Sequence, residues 1–319
     1  MTGEFSHYSV LQKETVGLLT GNNGRRYLDC TLGGGGDSEA ILTALPDCEV
    51  LGIDRDIRAL DAATKRLQPF GSRFRACRGC FSGMEEILDS AGWDHVDGIL
   101  MDIGVSSPQI DTPERGFSFR FDAPLDMRMD PESGMPTAAD LLNTLPEEEL
   151  SRIFWEFGEE RKSRQVARAV VKRRESRLWE RTGEFAEMLE RCIGRMHQHG
   201  LPPPTRVFQA LRIAVNRELD ELDNALRAAE RRLTPGGRLA VISFHSLEDR
   251  MVKHYLQHAA LECVCPPGMP CTCTKQKTFE ILTRRPVTAS REELAENSRS
   301  SCAKLRVGER TGAAPEYPR

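Results

Sequence analysis

At 319 residues, with 39% hydrophobic and 29% charged side chains, the chain has a globular composition and room for one large domain plus a smaller one. No apolar run approaches the ~20 residues of a membrane span, and a formal net charge of −4 argues against a protein that coats nucleic acid generally, so any such contact is local. Met1-Thr2-Gly3-Glu4-Phe5-Ser6-His7 lacks a basic segment leading into an apolar one, and ten scattered cysteines are too dilute for a disulfide scaffold, so a cytoplasmic, reducing location is expected.

Strand-like and helix-like runs alternate through the first third, which is the pattern of βαβ units in an α/β fold. Strands are predicted at Tyr27 to Thr31, Glu49 to Asp54, Arg73 to Cys77 and Val96 to Ile103, with helices at Ser38 to Leu45, Arg58 to Gln68 and Phe81 to Ala91. The alternation then stops. Residues 111–136 are rich in Pro, Gly, Asp and Arg without a period, and a stretch of this length reads as a functional loop over the pocket that leads into an insertion.

Helices alone follow, at Ala138 to Leu142, Pro146 to Phe157, Ser163 to Glu175 and Thr182 to Met196, and the linker His199 to Pro204 closes them. Val207, Leu211, Val215, Leu219, Leu222, Leu226, Ala229 and Leu233 step by three or four and predict one long amphipathic helix. Pro235-Gly236-Gly237 ends it and opens a strand, Arg238 to Phe244; a helix from Ser246 to Gln257 and strands at Phe279 to Thr283 and Lys304 to Val307 complete the chain. The expected division is 1–136 and 205–319 as two parts of one α/β domain, with 137–204 as a helical insertion.

Four glycines, Gly33 to Gly36, follow the first strand and let the backbone approach a ligand closely; a strained turn without a ligand is the plainer alternative. Asp54 lies twenty positions after Gly34 at the end of the next strand, the separation of a carboxylate that grips ribose hydroxyls, although alone it would read as a helix cap. Nicotinamide dinucleotides and S-adenosylmethionine both use such a pair. Asp37 behind the glycines would repel a pyrophosphate, whereas a sulfonium cation tolerates carboxylates, which favours S-adenosylmethionine.

Asp102 should emerge at the carboxyl end of its strand, where ligands of open α/β sheets bind. With Ser106, Pro108 and Gln109 in the run Asp102-Ile103-Gly104-Val105-Ser106-Ser107-Pro108-Gln109, it offers acceptors that could hold the N–H bonds of an exocyclic amine and free its lone pair for a methyl group. The plain alternative is an Asx-type turn. At the end of the next recovered strand, Ser246 with Asp249 reads as a variant capping box, with substrate contact by His245 equally open.

These runs, with Glu114 to Phe119, Pro124 to Met129, Gly158 to Arg161, Thr205 to Arg212, Asn216 to Leu219 and Ser243 to Arg250, resemble the bacterial ribosomal RNA small subunit methyltransferase H family over nearly the whole chain. The resemblance implies a class I, Rossmann-like methyltransferase sheet with a helical insertion. It implies methylation of N4 of a cytidine in the decoding region (P site) of 16S ribosomal RNA in the small ribosomal subunit, from S-adenosylmethionine. Carried onto matching positions, cofactor contacts fall on Gly35, Gly36, Asp37, Asp54, Phe81, Asp102 and Gln109, while the polar run itself puts Asp102, Ser106 and Pro108 at the reacting end. The chain departs from the family at Asp37, where His is common, and at Gly34, where a larger or basic residue is usual. Two alternatives stay open: an amino-methyltransferase acting on another nucleic acid or a small molecule, and a ribosome-assembly RNA-binding factor with a vestigial pocket.

Arg161 to Arg181 carries nine Arg or Lys against two Glu. A solvated helix face is the plain reading; beside a polyanionic substrate, Arg168, Lys172, Arg173 and Arg174 become phosphate contacts. Cys263-x-Cys265-x5-Cys271-x-Cys273 gathers four thiols around Pro266-Pro267-Gly268, but its C-x-C spacing departs from the C-x2-4-C of zinc sites, so the default is no metal, with zinc as the alternative. Cys77 and Cys80 read as ordinary thiols. A homodimer is left open, and no membrane partner is expected.

Overall fold

The computed structural model describes residues 9–194, 202–266, 268 and 270–317, without the side chains of Ser107, Pro108 and Ser298. Residues 195–201, which include the end of the predicted fourth insert helix and part of the linker after it, and the N-terminal residues read for a leader lie outside them. The described chain divides into two compact units. The first runs to Gly104 and resumes at Asp220; the second is Val105–Leu219. The second unit is therefore wider on both sides than 137–204, because residues 105–136 and the first helix after the linker pack with the insert.

In the first unit, seven strands form one sheet: β1 (Arg26–Asp29), β2 (Glu49–Asp54), β3 (Phe74–Arg78), β4 (Val96–Asp102), β5 (Leu233–Ser243), β6 (Phe279–Ile281) and β7 (Lys304–Arg310). Their order is β3-β2-β1-β4-β5-β7-β6, parallel from β3 to β5, with β7 antiparallel to both of its neighbours. Successive side chains of a strand face opposite sides. Ile99, Met101, Leu239 and Val241 thus join one apolar cluster with helices Met84–Ser90, Glu218–Arg232 and Ser246–Ala259. Leu100, Ala240 and Ile242 join the other, with helices Gln12–Leu19, Gly36–Ala44 and Ile57–Leu67. Burial on both faces is why these strands read as continuous apolar runs.

The predicted long helix is two helices, Thr205–Asn216 and Glu218–Arg232, because Arg217 between them adopts a left-handed backbone at φ 50°. The apolar step continues across the break, so periodicity conceals it. The strand that follows begins at Leu233 rather than Arg238, taking in Pro235-Gly236-Gly237 beside a register shift against β4. Three helices without strong sequence signals, Gln12–Leu19, Ser107–Asp111 and Arg291–Glu296, also appear.

The second unit packs helices Ala138–Thr144, Glu147–Glu156, Ser163–Arg174, Thr182–Ile193 and Thr205–Asn216 around Phe154, Val170, Trp179, Phe185, Phe208 and Leu211. Its long loop is ordered by that core. Leu125, Met127 and Met129 alternate inward, while Asp126 and Arg128 between them form a two-pronged ion pair at 2.8 and 2.7 Å. The Asn216 side chain donates to Met127 O and accepts from Met129 N at 2.8 and 2.7 Å, substituting for a neighbouring strand. Gly116 is required here: at φ 73°, an added Cβ would stand 2.3 Å from Pro124 O.

Candidate active site

The carboxyl ends of β1, β2 and β4 converge in the first unit, and each ends in an aspartate. Asp29 closes β1, 1% exposed, accepting from Ser38 Oγ at 2.6 Å and Thr31 N at 3.2 Å. Burial pushes its carboxyl up to about 6, against the pull of those two hydrogen bonds. Thr31 Oγ1 in turn accepts the Asp102 N–H at 2.6 Å, fixing the end of β4 to the loop after β1.

That loop turns through left-handed Gly33 and Gly35. Gly35 lies so close to helix Ile57–Leu67 that a Cβ would meet Leu67 and Ala63 at 3.0 and 3.2 Å. Helix Gly36–Ala44 starts there, with Asp37 buried in its first turn. Burial, then the charge of Asp29, raises Asp37 to about 7, although Ser9 and Gln12 hydrogen-bond it and Arg66 attracts it. Asp54 at the end of β2 accepts from Gly33 N at 2.8 Å and Asp56 N at 2.9 Å, so it ties the glycine loop down at the carboxyl end of the sheet. Burial raises its pKa also, with those two amides opposing. Asp102 is held well above the carboxylate range by burial, then by the charges of Asp37, Asp29 and Glu248.

Asp37 Oδ1 and Asp102 Oδ1 are buried without a hydrogen-bond partner. Buried polar atoms are ordinarily satisfied, and mutually repelling carboxylates are relieved by a cation. The cluster is therefore built to receive positive charge or N–H donors.

Phe81 opens a short turn after β3, half-buried against the core, with the Arg55 guanidinium 5.8 Å from its ring centroid. Ser106 and Gln109 belong to the second unit, where Gln109 is buried and its Oε1 accepts the Ser106 N–H at 2.9 Å. The Pro108 side chain lies outside the described ones. His245, rather than Ser246, caps helix Ser246–Ala259: its ring accepts from Glu248 N, and Glu248 accepts from Phe244 N and His245 N at 2.9 and 3.3 Å. Asp249 binds Lys304 and Arg306 at 3.1 and 2.6 Å.

Of the four basic residues expected at RNA, two are employed within the fold. Arg173 pairs with Glu184 at 2.6 Å and sits 3.8 Å over the Trp179 ring, and Arg174 donates to Leu142 O and Leu145 O at 2.8 and 2.7 Å. Arg168 and Lys172 are exposed, Arg168 lying 3.6 Å from Glu147. Sequence reasoning missed Asp29, Thr31 and Glu248. Asp29 had one signal, an acidic residue at the end of a buried strand directly before the glycine loop.

A seven-stranded sheet of this order, with glycine loop and carboxylates at the ends of its first, second and fourth strands, defines a class I methyltransferase. The chain belongs to the MraW methylase family, whose model matches residues 4–311. It is 48% identical over 312 residues to a protein of Carboxydothermus hydrogenoformans (98% of this chain, 100% of that one) named Ribosomal RNA small subunit methyltransferase H. Proteins of the same name from Trichlorobacter lovleyi (50% identity; 97% and 99% coverage) and Fusobacterium nucleatum (46%; 97% and 98%) are similar along their whole length.

The methyl donor of this class is S-adenosylmethionine, which when bound supplies an electrophilic methyl on a sulfonium cation. The site fits it: the orphaned oxygens of Asp37 and Asp102 suit its cationic end, and Asp54 has lone pairs beyond the two amides it accepts. No helix among the described residues is long and apolar enough to cross a membrane.

Proposed function

We propose that this enzyme methylates N4 of a cytidine in the decoding region of 16S ribosomal RNA, at the P site, within the small ribosomal subunit and in the cytoplasm. The observation that carries the reading is identity of about one half, end to end, with proteins named for ribosomal RNA small subunit methylation. The chemistry of Asp102 supports it. The lone pair of an exocyclic cytosine amine is delocalised into the ring, and a buried acceptor that holds an N–H bond turns that pair outward. Asp102 Oδ1 is such an acceptor, and once ionised beside the cationic donor the carboxylate can take the proton that N4 loses before passing it to solvent. Asp54 holds the donor's ribose, Phe81 packs on adenine, Gly35, Gly36 and Asp37 flank the amino-acid end, and Ser106, Pro108 and Gln109 serve the reacting end.

The second unit is read as the RNA-binding part. Arg161, Arg164, Arg168 and Lys172 are exposed on one stretch of it, and Trp155, 57% exposed, stands with the first three in a groove of about 870 Å³ where a base could stack.

The test is transfer of labelled methyl from S-adenosylmethionine to small subunits from cells lacking the enzyme, followed by nucleoside analysis. N4-methylcytidine is expected. Label on carbon 5, on a ribose hydroxyl, or on no RNA at all would refute the assignment.

A further inference from the structure

Far along the chain from the methylation site, four thiols converge. Between helix Ser246–Ala259 and β6, the described residues of 260–277 have no regular structure, and the stretch is closed at the neck by the Thr278 N–H to Ala259 O bond at 2.8 Å. Such long structureless loops need something to order them. Apolar packing does not serve, since Leu261 and Val264 are 44% and 51% exposed.

The sulfurs of Cys263, Cys265, Cys271 and Cys273 all lie within 4.8 Å of one another. Cys263 to Cys271 is 3.5 Å, and Cys271 to Cys273 and Cys263 to Cys273 are 3.7 Å each. A tetrahedron with metal–sulfur bonds of about 2.3 Å has edges of about 3.8 Å, whereas a disulfide needs about 2.0 Å. The separations are those of a metal's coordination sphere, and all four cysteines are free thiols.

The C-x-C spacing, unlike that of zinc knuckles, follows from the arrangement. Each pair comes from one arm of the loop, and the two C-x-C pairs meet across it. Backbone amides already point at the sulfurs: Cys265 N lies 3.3 Å from Cys263 Sγ and Thr272 N 3.4 Å from Cys265 Sγ, the orienting bonds that thiolate ligands take. Four soft sulfur donors with no open position describe a closed structural site, not a catalytic one.

We propose that Cys263, Cys265, Cys271 and Cys273 bind one zinc ion as a tetrathiolate, releasing the thiol protons to solvent, and that this ion staples the 260–277 loop. The full chain, purified reduced and without chelator, should carry about one zinc by elemental mass spectrometry. Metal-free wild type given Co²⁺ should show sulfur-to-cobalt charge transfer with the intense visible bands of a tetrahedral site. Peptide mapping keeps the test independent of any variant: the loop cysteines should resist alkylation with zinc and react after chelation. The variant Cys263→Ser, Cys265→Ser, Cys271→Ser, Cys273→Ser should lose the metal while still binding S-adenosylmethionine. Cobalt without charge transfer, equal alkylation with and without zinc, or the same zinc content in wild type and variant would each overturn the proposal.

Discussion

Asp37 and Asp102 in the first unit and Arg173 and Arg174 in the second are all charges that stand out in the sequence, and the fold treats them oppositely. Each of the two aspartates keeps a buried oxygen with no partner. The two arginines are bound, one across Trp179 to Glu184 and the other to carbonyls at the end of helix Ala138–Thr144. Density of charge along a sequence marks the second kind as readily as the first. Glu160 in the second unit keeps such an oxygen too; what sets Asp37 and Asp102 apart is that theirs belong to one carboxylate cluster at the strand ends, an arrangement that costs stability unless a ligand completes it.

The sharpest way to break this contrast is Asp102→Ala. If its unpartnered oxygen serves the reacting amine, turnover should fall by about 10²–10⁴ while donor affinity moves far less. Single-turnover transfer and calorimetry measure the two, and a parallel loss in both would reduce Asp102 to a countercharge. Asp54→Ala should weaken S-adenosylmethionine binding by about 1–3 kcal/mol, and because Asp54 also holds Gly33 N, it should lower the thermal midpoint too.

Within the second unit, Arg173→Gln should destabilise the fold by about 1–3 kcal/mol through the lost ion pair and ring contact. The combined change Arg164→Gln, Arg168→Gln, Lys172→Gln should instead leave unfolding within about 0.5 kcal/mol per site. It should flatten the salt dependence of subunit binding by roughly 0.7 to 0.9 per lost phosphate contact. Equal unfolding curves for the two variants would erase the distinction between scaffold and surface arginines.

A further expected effect is in pH. Burial raises Asp29 to about 6 and Asp37 to about 7 from 3.8, so the fold holds protons that the unfolded chain has released. Their stabilising contribution is fully present below about pH 4 and is lost as pH rises through 6 to 7. Asp37→Asn should therefore gain more on wild type in denaturant titrations at pH 8 than at pH 5. Affinity for the cationic donor should strengthen over the same interval as the carboxylates ionise. A wild-type-to-variant difference that is flat with pH would show that Asp37 is not the group concerned.

Much of the first unit was legible because its signals are local. An apolar run has strand length, a glycine run has one use, and Asp54 and Asp102 stand at strand ends by simple counting. Asp29 was not read as part of the chemistry because its character comes from burial and from Asp37 and Asp102, which only the sheet brings near. The partners of Arg173 and Arg174 were not legible because a helix-face count does not show Trp179, Glu184 or the carbonyls they meet. The left-handed Arg217 left no trace, since apolar spacing is indifferent to one reversed residue. The cap moved from Ser246 to His245 because Glu248, not Asp249, reaches back to the helix start.

The Asn216 amide carries a consequence for how the polypeptide assembles. It joins Met129 and Met127 across 87 and 89 positions, and the loop segment it holds has no strand of its own to pair with. A growing chain thus delivers the Met127 to Met129 stretch, already tied by Met127 N to Arg115 O and by Arg115 Nη2 to Met129 O, long before Asn216, whose contact follows closure of that longer span. The last bonds of this segment accordingly form only once Asn216 is in place. Chains truncated before Asn216 should be cut by proteases near Met127 to Met129, and full-length chains there should be protected.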